Sequence, residues 1–152
     1  MNTVVQLNYL DTHLATVQML RDYYDQKWKA EYGKDKVRQI QSSMECLPAT
    51  LGKIPVNNGS GSRAEDALIA GIDRKAIAEY SYQQACEYME TMDACLSRLS
   101  VQERRLLELR YIDYHTEGNG IARIMEEFHV GQAEAYRRSN RALMRLKKLL
   151  FW

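Results

Sequence analysis

Apolar residues return at three- and four-residue steps along most of this chain, the period of a helix that buries one face. Over residues 3 to about 32, Leu7, Leu10, Leu14 and Val17 are followed by Leu20, Tyr24 and Trp28. That stripe predicts one long helix packed on another, in the same chain or in a partner subunit. Gly33 is expected to break or weaken it, and Val37, Ile40 and Met44 share one face of a further helical piece. A second long helix is expected from near Ser62, where Ser62 and Glu65 have capping-box spacing. Its stripe of Leu68, Ile72, Ala76 and Tyr80 gives way near Ser81 and Tyr82 to Ala85, Tyr88, Met92, Leu96 and Leu99, an offset that predicts a kink or a stutter. No segment alternates with the two-residue period of a strand. The pattern therefore predicts an all-α protein that begins with a long helical hairpin or coiled coil.

The polar breaks divide the chain. Residues 1–45 form an N-terminal helical segment. Residues 46–62 hold both prolines, Pro48 and Pro55, with Gly52, Gly59 and Gly61, and read as a loop whose role the sequence leaves open. Residues 63–98 are the long connecting helix, and 99–152 a C-terminal domain.

That last domain has its own order of elements. Ser100 and Glu103 make a second capping box ahead of Leu106, Leu107, Leu109 and Tyr111. A polar loop, Asp113 to Gly120, precedes a short helix with Ile121, Ile124, Met125 and Phe128 facing inward. His129, Val130 and Gly131 form a tight turn, with Gly131 placed to relax the backbone and Val130 pointing to the core. A third helix from about Gln132 to Leu150 is held by Ala135, Ala142, Leu146 and Leu149, with Leu143. Helix, loop, short helix, turn and basic helix is the order of a helix-turn-helix DNA reader.

Charge sharpens this picture. The formal net charge is +1, but residues 1–98 carry 11 Lys and Arg against 13 Asp and Glu, and residues 99–152 carry 10 against 7. Arg137, Arg138, Arg141, Arg145, Lys147 and Lys148 follow Glu134 with no acid among them. Such a run can neutralise phosphates and release counterions, or simply form a solvated face favoured near a helix C-terminus.

The segments LELRYID (Leu107 to Asp113), RIMEEFHV (Arg123 to Val130) and YRRSNRALMRLKKL (Tyr136 to Leu149) resemble region 4 of the sigma-70 family. They are most similar to the sigma-like regulators of phages of Gram-positive bacteria, the ArpU/RinA type of late-gene activators. The likeness covers about fifty residues and extends weakly to the SRAED run from Ser62. Met125 stands where the family has a small Ala, His129 where it has the turn Gly, and Gly131 where a Ser or Thr caps the third helix.

The resemblance implies a sequence-specific, double-stranded DNA-binding transcription regulator, phage or prophage encoded, acting on late genes in the cytoplasm of a bacterial host. Gln132, Glu134, Tyr136 and Arg137 then fall where base edges or nearby phosphates are met, with Asn140 on the same solvent side. Arg137 suits guanine O6/N7 and Gln132 suits adenine, while Glu134 either accepts from cytosine N4 or offsets charge at the helix start. Arg138, Arg141 and Lys147 suit phosphates, which orient without reading sequence. Host RNA polymerase and a homodimer through the N-terminal helices are the further partners implied. Two alternatives remain: a small terminase-like subunit that recognises DNA for packaging, and a module whose basic helix docks on RNA polymerase.

Little points to catalysis. His13, His115 and His129 lie far apart without the spacing of a metal site, no glycine-rich phosphate loop occurs, and no cofactor is expected. Cys46, Cys86 and Cys95 are odd in number and lack CxxC spacing, as reduced thiols do. No stretch has the length of a membrane span, and the start of the chain does not read as a signal peptide.

Overall fold

The structure, a computed structural model, describes residues 11–46, 60–113 and 119–152, and the side chains of all of these but Ser60, Gly61 and Ser62. Its elements are α1 (Thr12–Arg21), α2 (Tyr23–Glu45), α3 (Ser60–Ser97), α4 (Val101–Leu107), a π-helical turn (Glu108–Ile112), α5 (Gly120–Phe128) and α6 (Gln132–Phe151). No strand occurs among the described residues, in keeping with an all-α chain. The chain forms two compact units that do not follow its linear order: Met1–Asp25 with Met89–Trp152, and Gln26–Tyr88.

In the first unit, α6 packs against α1, α4 and α5, and the π turn packs against α1 and α5. Leu106, Leu109, Ile121, Ile124 and Ala135 form a buried cluster, with Met125, Phe128 and Val130 half-buried against it. Leu143 and Leu146 of α6 and Leu20 of α1 are also sealed from water. Fully burying each such side chain contributes about 1.5–3 kcal/mol. Thr16 sits in this apolar setting without penalty because its hydroxyl donates to the Thr12 carbonyl at 2.6 Å. Two tyrosines tie the start of α2 into the same unit. Tyr23 donates to Asp93 at 2.9 Å and Tyr24 to Asp113 at 2.8 Å. Burial, reinforced by the Asp93 contact, pushes the Tyr23 phenol up to about 12.

In the second unit, α2 and α3 meet over small residues. A Cβ on Gly33 would lie 2.8 Å from the Tyr82 ring, and one on Gly71 3.0 Å from Cγ of Met44. No residue of α2 is buried along its 23 positions. Trp28, Tyr32, Ile69, Ile72, Ile77 and Tyr80 each leave half or more of their surface in solvent.

Several expectations need correction. The stripe expected as one helix over residues 3 to 32 is divided at Asp22, between α1 and α2, and its first residues lie outside the described ones. Thr16 and Leu20 face the interior of the first unit, while from Gln26 onward the helix belongs to the second. Gly33 does not end the helix; it gives Tyr82 room to approach, and α2 runs on to Glu45. The second long helix runs from Ser60, near the expected Ser62, to Ser97. The side chain of Ser62, and so the capping box proposed there, lies outside the described residues, as does most of the 46–62 loop.

Candidate nucleic-acid interface

The local chemistry of the sequence sets the frame of the basic helix. Ser100 accepts from the Glu103 amide at 3.2 Å, and Glu103 accepts from the Ser100 amide at 2.8 Å, the reciprocal cap expected there. After about two turns α4 gives way to π geometry, with the Asp113 amide donating to the Glu108 carbonyl at 2.8 Å. Leu109, Tyr111 and Ile112 of this turn are all buried. Arg105 then grips Glu127 of α5 with a two-pronged pair, 2.7 and 2.9 Å. That contact bridges α4 and α5 at the surface, over the apolar cluster to which Leu106, Ile121 and Ile124 belong.

Asn119 caps α5 by accepting from the Ile121 amide at 3.1 Å. Gly120 follows because no side chain fits. A Cβ there would lie 2.7 Å from the Leu109 carbonyl oxygen and 2.8 Å from Cα of Arg110. The turn between α5 and α6 departs from expectation. His129, not Gly131, takes the left-handed conformation, at φ 52° and ψ 47°. Gly131 has an ordinary φ of −72° and starts α6 without a side-chain cap. The distribution of strain follows the chain's own path: α5 ends at Phe128, so the reversal falls on the next residue.

Helix α6 has two contrasting sides. Ala135, Ser139, Ala142, Leu143 and Leu146 are buried. Gln132, Tyr136, Arg137, Arg138, Asn140 and Arg141 are exposed, and Glu134 and Lys147 half-exposed. All eight residues singled out from the sequence thus lie on one helix and reach solvent. They do not form one uniform patch, because neighbours divide them.

On one flank, Arg110 of the π turn donates to Ser139 Oγ at 2.7 Å and to Asn140 Oδ1 at 2.6 Å. Its guanidinium also lies over the rings of Tyr111 and Tyr136, 4.9 and 5.2 Å from their centres. Asn140 and Tyr136 are therefore engaged from within the protein. Ser139 is buried yet satisfied, since it also donates to a carbonyl of α6. The pattern of apolar residues could not reveal this contact, which joins two polar side chains 29 residues apart.

On the other flank, Glu134 accepts from Arg137 and from Arg138. Arg137 Nη2 lies at 2.6 Å and Nε at 2.8 Å from Oε2, and Arg138 Nε at 2.7 Å from Oε1. The Arg138 contact first, with Arg137 behind it, holds the Glu134 carboxyl below the usual glutamate range. Arg145 pairs with Glu103 across to α4 at 2.8 Å. Glu134, Arg138 and Arg141 line an open cleft of about 410 Å³ together with Ser100, Gln102 and Glu103.

Among the described residues, no group of three His, Cys, Asp or Glu could hold a metal ion, and no helix is long and apolar enough to cross a membrane. Cys46, Cys86 and Cys95 are not joined in disulfides. Compared with known families, curated proteins and solved structures, the chain matches none of them.

Proposed function

We propose that this protein is a sequence-specific double-stranded DNA-binding transcription regulator, phage or prophage encoded and acting on late genes in a bacterial host cell. One observation carries the reading. Helix α6 follows α5 through a three-residue turn, buries one side on that scaffold, and offers Gln132, Tyr136, Arg137, Arg138, Asn140 and Arg141 from the other. An exposed, cation-rich helix braced by a second helix has the shape and charge to enter a major groove. In this reading Arg137 and Gln132 read bases, while Arg138, Arg141 and Lys147 meet phosphates.

The reading includes a homodimer formed through the α2–α3 unit. Support comes from Trp28, Tyr32, Ile69, Ile72 and Tyr80, large apolar side chains at least half exposed. A dimer would match a site with two half-sites about one helical turn apart.

The test is affinity selection of sheared DNA from the source genome on the purified full chain, at physiological salt, with sequencing of what is retained. One enriched locus upstream of a block of structural genes is expected. Enrichment beside packaging genes would move the protein to DNA packaging, and no enrichment by folded protein would remove α6 as a DNA reader.

A further inference from the structure

We propose that Glu134 is a specificity gate on α6: it holds Arg137 and Arg138 in the free protein and releases them only to DNA that offers the carboxylate a base-edge donor in exchange. The inference rests on the DNA-reading role proposed above and concerns how that role discriminates among sequences.

The geometry engages both oxygens of Glu134. Each carboxylate oxygen faces a different arginine, at 2.6–2.8 Å, and 28% of its side-chain surface is exposed. Arg137 spends two donors, Nε and Nη2, on one oxygen. Those donors form one edge of the planar guanidinium fork that would engage guanine O6 and N7. Arg137 therefore cannot use this edge on a base and keep Glu134.

What replaces the arginines decides the outcome. A carboxylate only accepts hydrogen bonds, and so does a phosphate oxygen. When α6 lies against an arbitrary backbone, an arginine drawn to phosphate leaves Glu134 unpaired and next to like charge. The major groove differs, because cytosine N4 and adenine N6 are donors. A site that presents guanine to Arg137 and a donor beside it to Glu134 restores both sets of bonds. Glu134 thus penalises non-specific complexes more than the specific one, and discrimination rises by weakening the wrong partner.

Arg141 and Lys147 show the contrast. Neither has an acidic partner among the described residues, so both are open to any phosphate. The helix carries two kinds of cation: some without an acidic partner, and two whose Nε edges are shared with Glu134, so that any contact using those edges competes with the carboxylate.

The experiment compares the full-length protein with its Glu134→Gln variant. The probes are a duplex recovered by selection from a random-sequence library and a scrambled duplex of the same length and composition. Fluorescence anisotropy at several salt concentrations gives both affinities. The variant is expected to bind the scrambled duplex about three- to tenfold tighter, with a salt slope steeper by about one to two. It should bind the recovered duplex no more tightly, so the ratio between them falls. Glu134→Ala should act alike, which guards against a new contact from the glutamine amide; circular dichroism establishes that each variant is folded. An equal gain on both duplexes, or none on either, overturns the gate while leaving α6 a DNA reader. Failure of the wild-type protein to recover any duplex, with no salt-dependent binding, overturns the reader and the gate together.

Discussion

Arg110 Nη1 lies 2.6 Å from Oδ1 of Asn140, so an amide on the exposed edge of α6 is held by the π turn that precedes α5 in sequence. The same nitrogen reaches Ser139, and the guanidinium covers Tyr136. Removing it frees two side chains on the candidate interface and leaves the buried Ser139 oxygen with one partner fewer. Arg110→Ala is expected to cost about 1–3 kcal/mol in urea denaturation. Arg110→Lys should recover only part of this, because one ammonium cannot both stack and reach two acceptors.

Gly120 should tolerate no side chain. Ala would gain up to about 1 kcal/mol in helix propensity, but its Cβ would press on the backbone of Leu109 and Arg110. We expect Gly120→Ala to be destabilising by about 1–3 kcal/mol net, seen as a lower melting temperature with unchanged helical content before the transition.

The α5–α6 turn is expected to respond in the opposite direction. His129 occupies a conformation that costs an L-residue roughly 1–2 kcal/mol. His129→Gly should relieve that strain, less the entropy of a freer unfolded chain, for a net gain of up to about 1 kcal/mol. Gly131→Ser meets no atom within 4 Å and supplies the missing cap of α6, worth a few tenths of a kcal/mol relative to Gly, roughly. Thermal melts of both single variants and of their combination check the two effects.

Acid should loosen the first unit. Burial alone would raise the Glu103 carboxyl, but the Ser100 amide, Arg145 and the Ser100 hydroxyl together lower it below the ordinary glutamate value of 4.5. Glu127 is lowered by its hydrogen bond from Arg105. A carboxyl depressed in the folded state contributes stability that is complete above its unfolded value and lost as pH falls through its folded one. Stability is expected to hold above about pH 5 and to decline below the glutamate range. In Glu103→Gln the decline should be shallower, since Gln keeps the cap but cannot pair with Arg145. Denaturation at a series of pH values measures both slopes.

Leu20 tests whether the C-terminal domain stands alone. It lies in α1, yet it is fully buried in the unit that contains α6, and α1 packs on α6 and the π turn. Leu20→Ala should cost about 2–5 kcal/mol. A fragment of residues 99–152 should give poorly dispersed amide spectra, whereas the full chain gives dispersed ones.

The helical period made much of this architecture legible. Leu106, Leu109, Ile121, Ile124, Ala135, Ala142 and Leu146 were marked as core by spacing, and all are buried. Ser100 and Glu103 signalled their cap through side-chain chemistry that acts within four residues. What stayed hidden depends on partners distant in sequence or on backbone register. The π turn lengthens the backbone ring without changing composition, so its geometry left no mark on the spacing of apolar residues. Gly131 drew the expectation of a left-handed backbone by residue type, although His129 stands where the resembling family has its turn Gly. On α6, spacing placed the eight candidate residues on solvent correctly, but could not show that Arg110 would take Asn140 and Tyr136. It left open whether Glu134 serves bases or charge, and the pairs with Arg137 and Arg138 show where that carboxylate rests in the free protein.

The first unit draws on two stretches of chain with the whole of Gln26–Tyr88 between them. During synthesis α1 therefore leaves the ribosome long before the helices it covers exist, while the intervening unit already has all of its residues. Leu20 therefore gains its full cover only once the π turn and then α6, the elements that pack on α1, have been made. Among the elements of this unit the basic helix is made after all the others, so the face that α1 helps to build forms only once that segment has been translated.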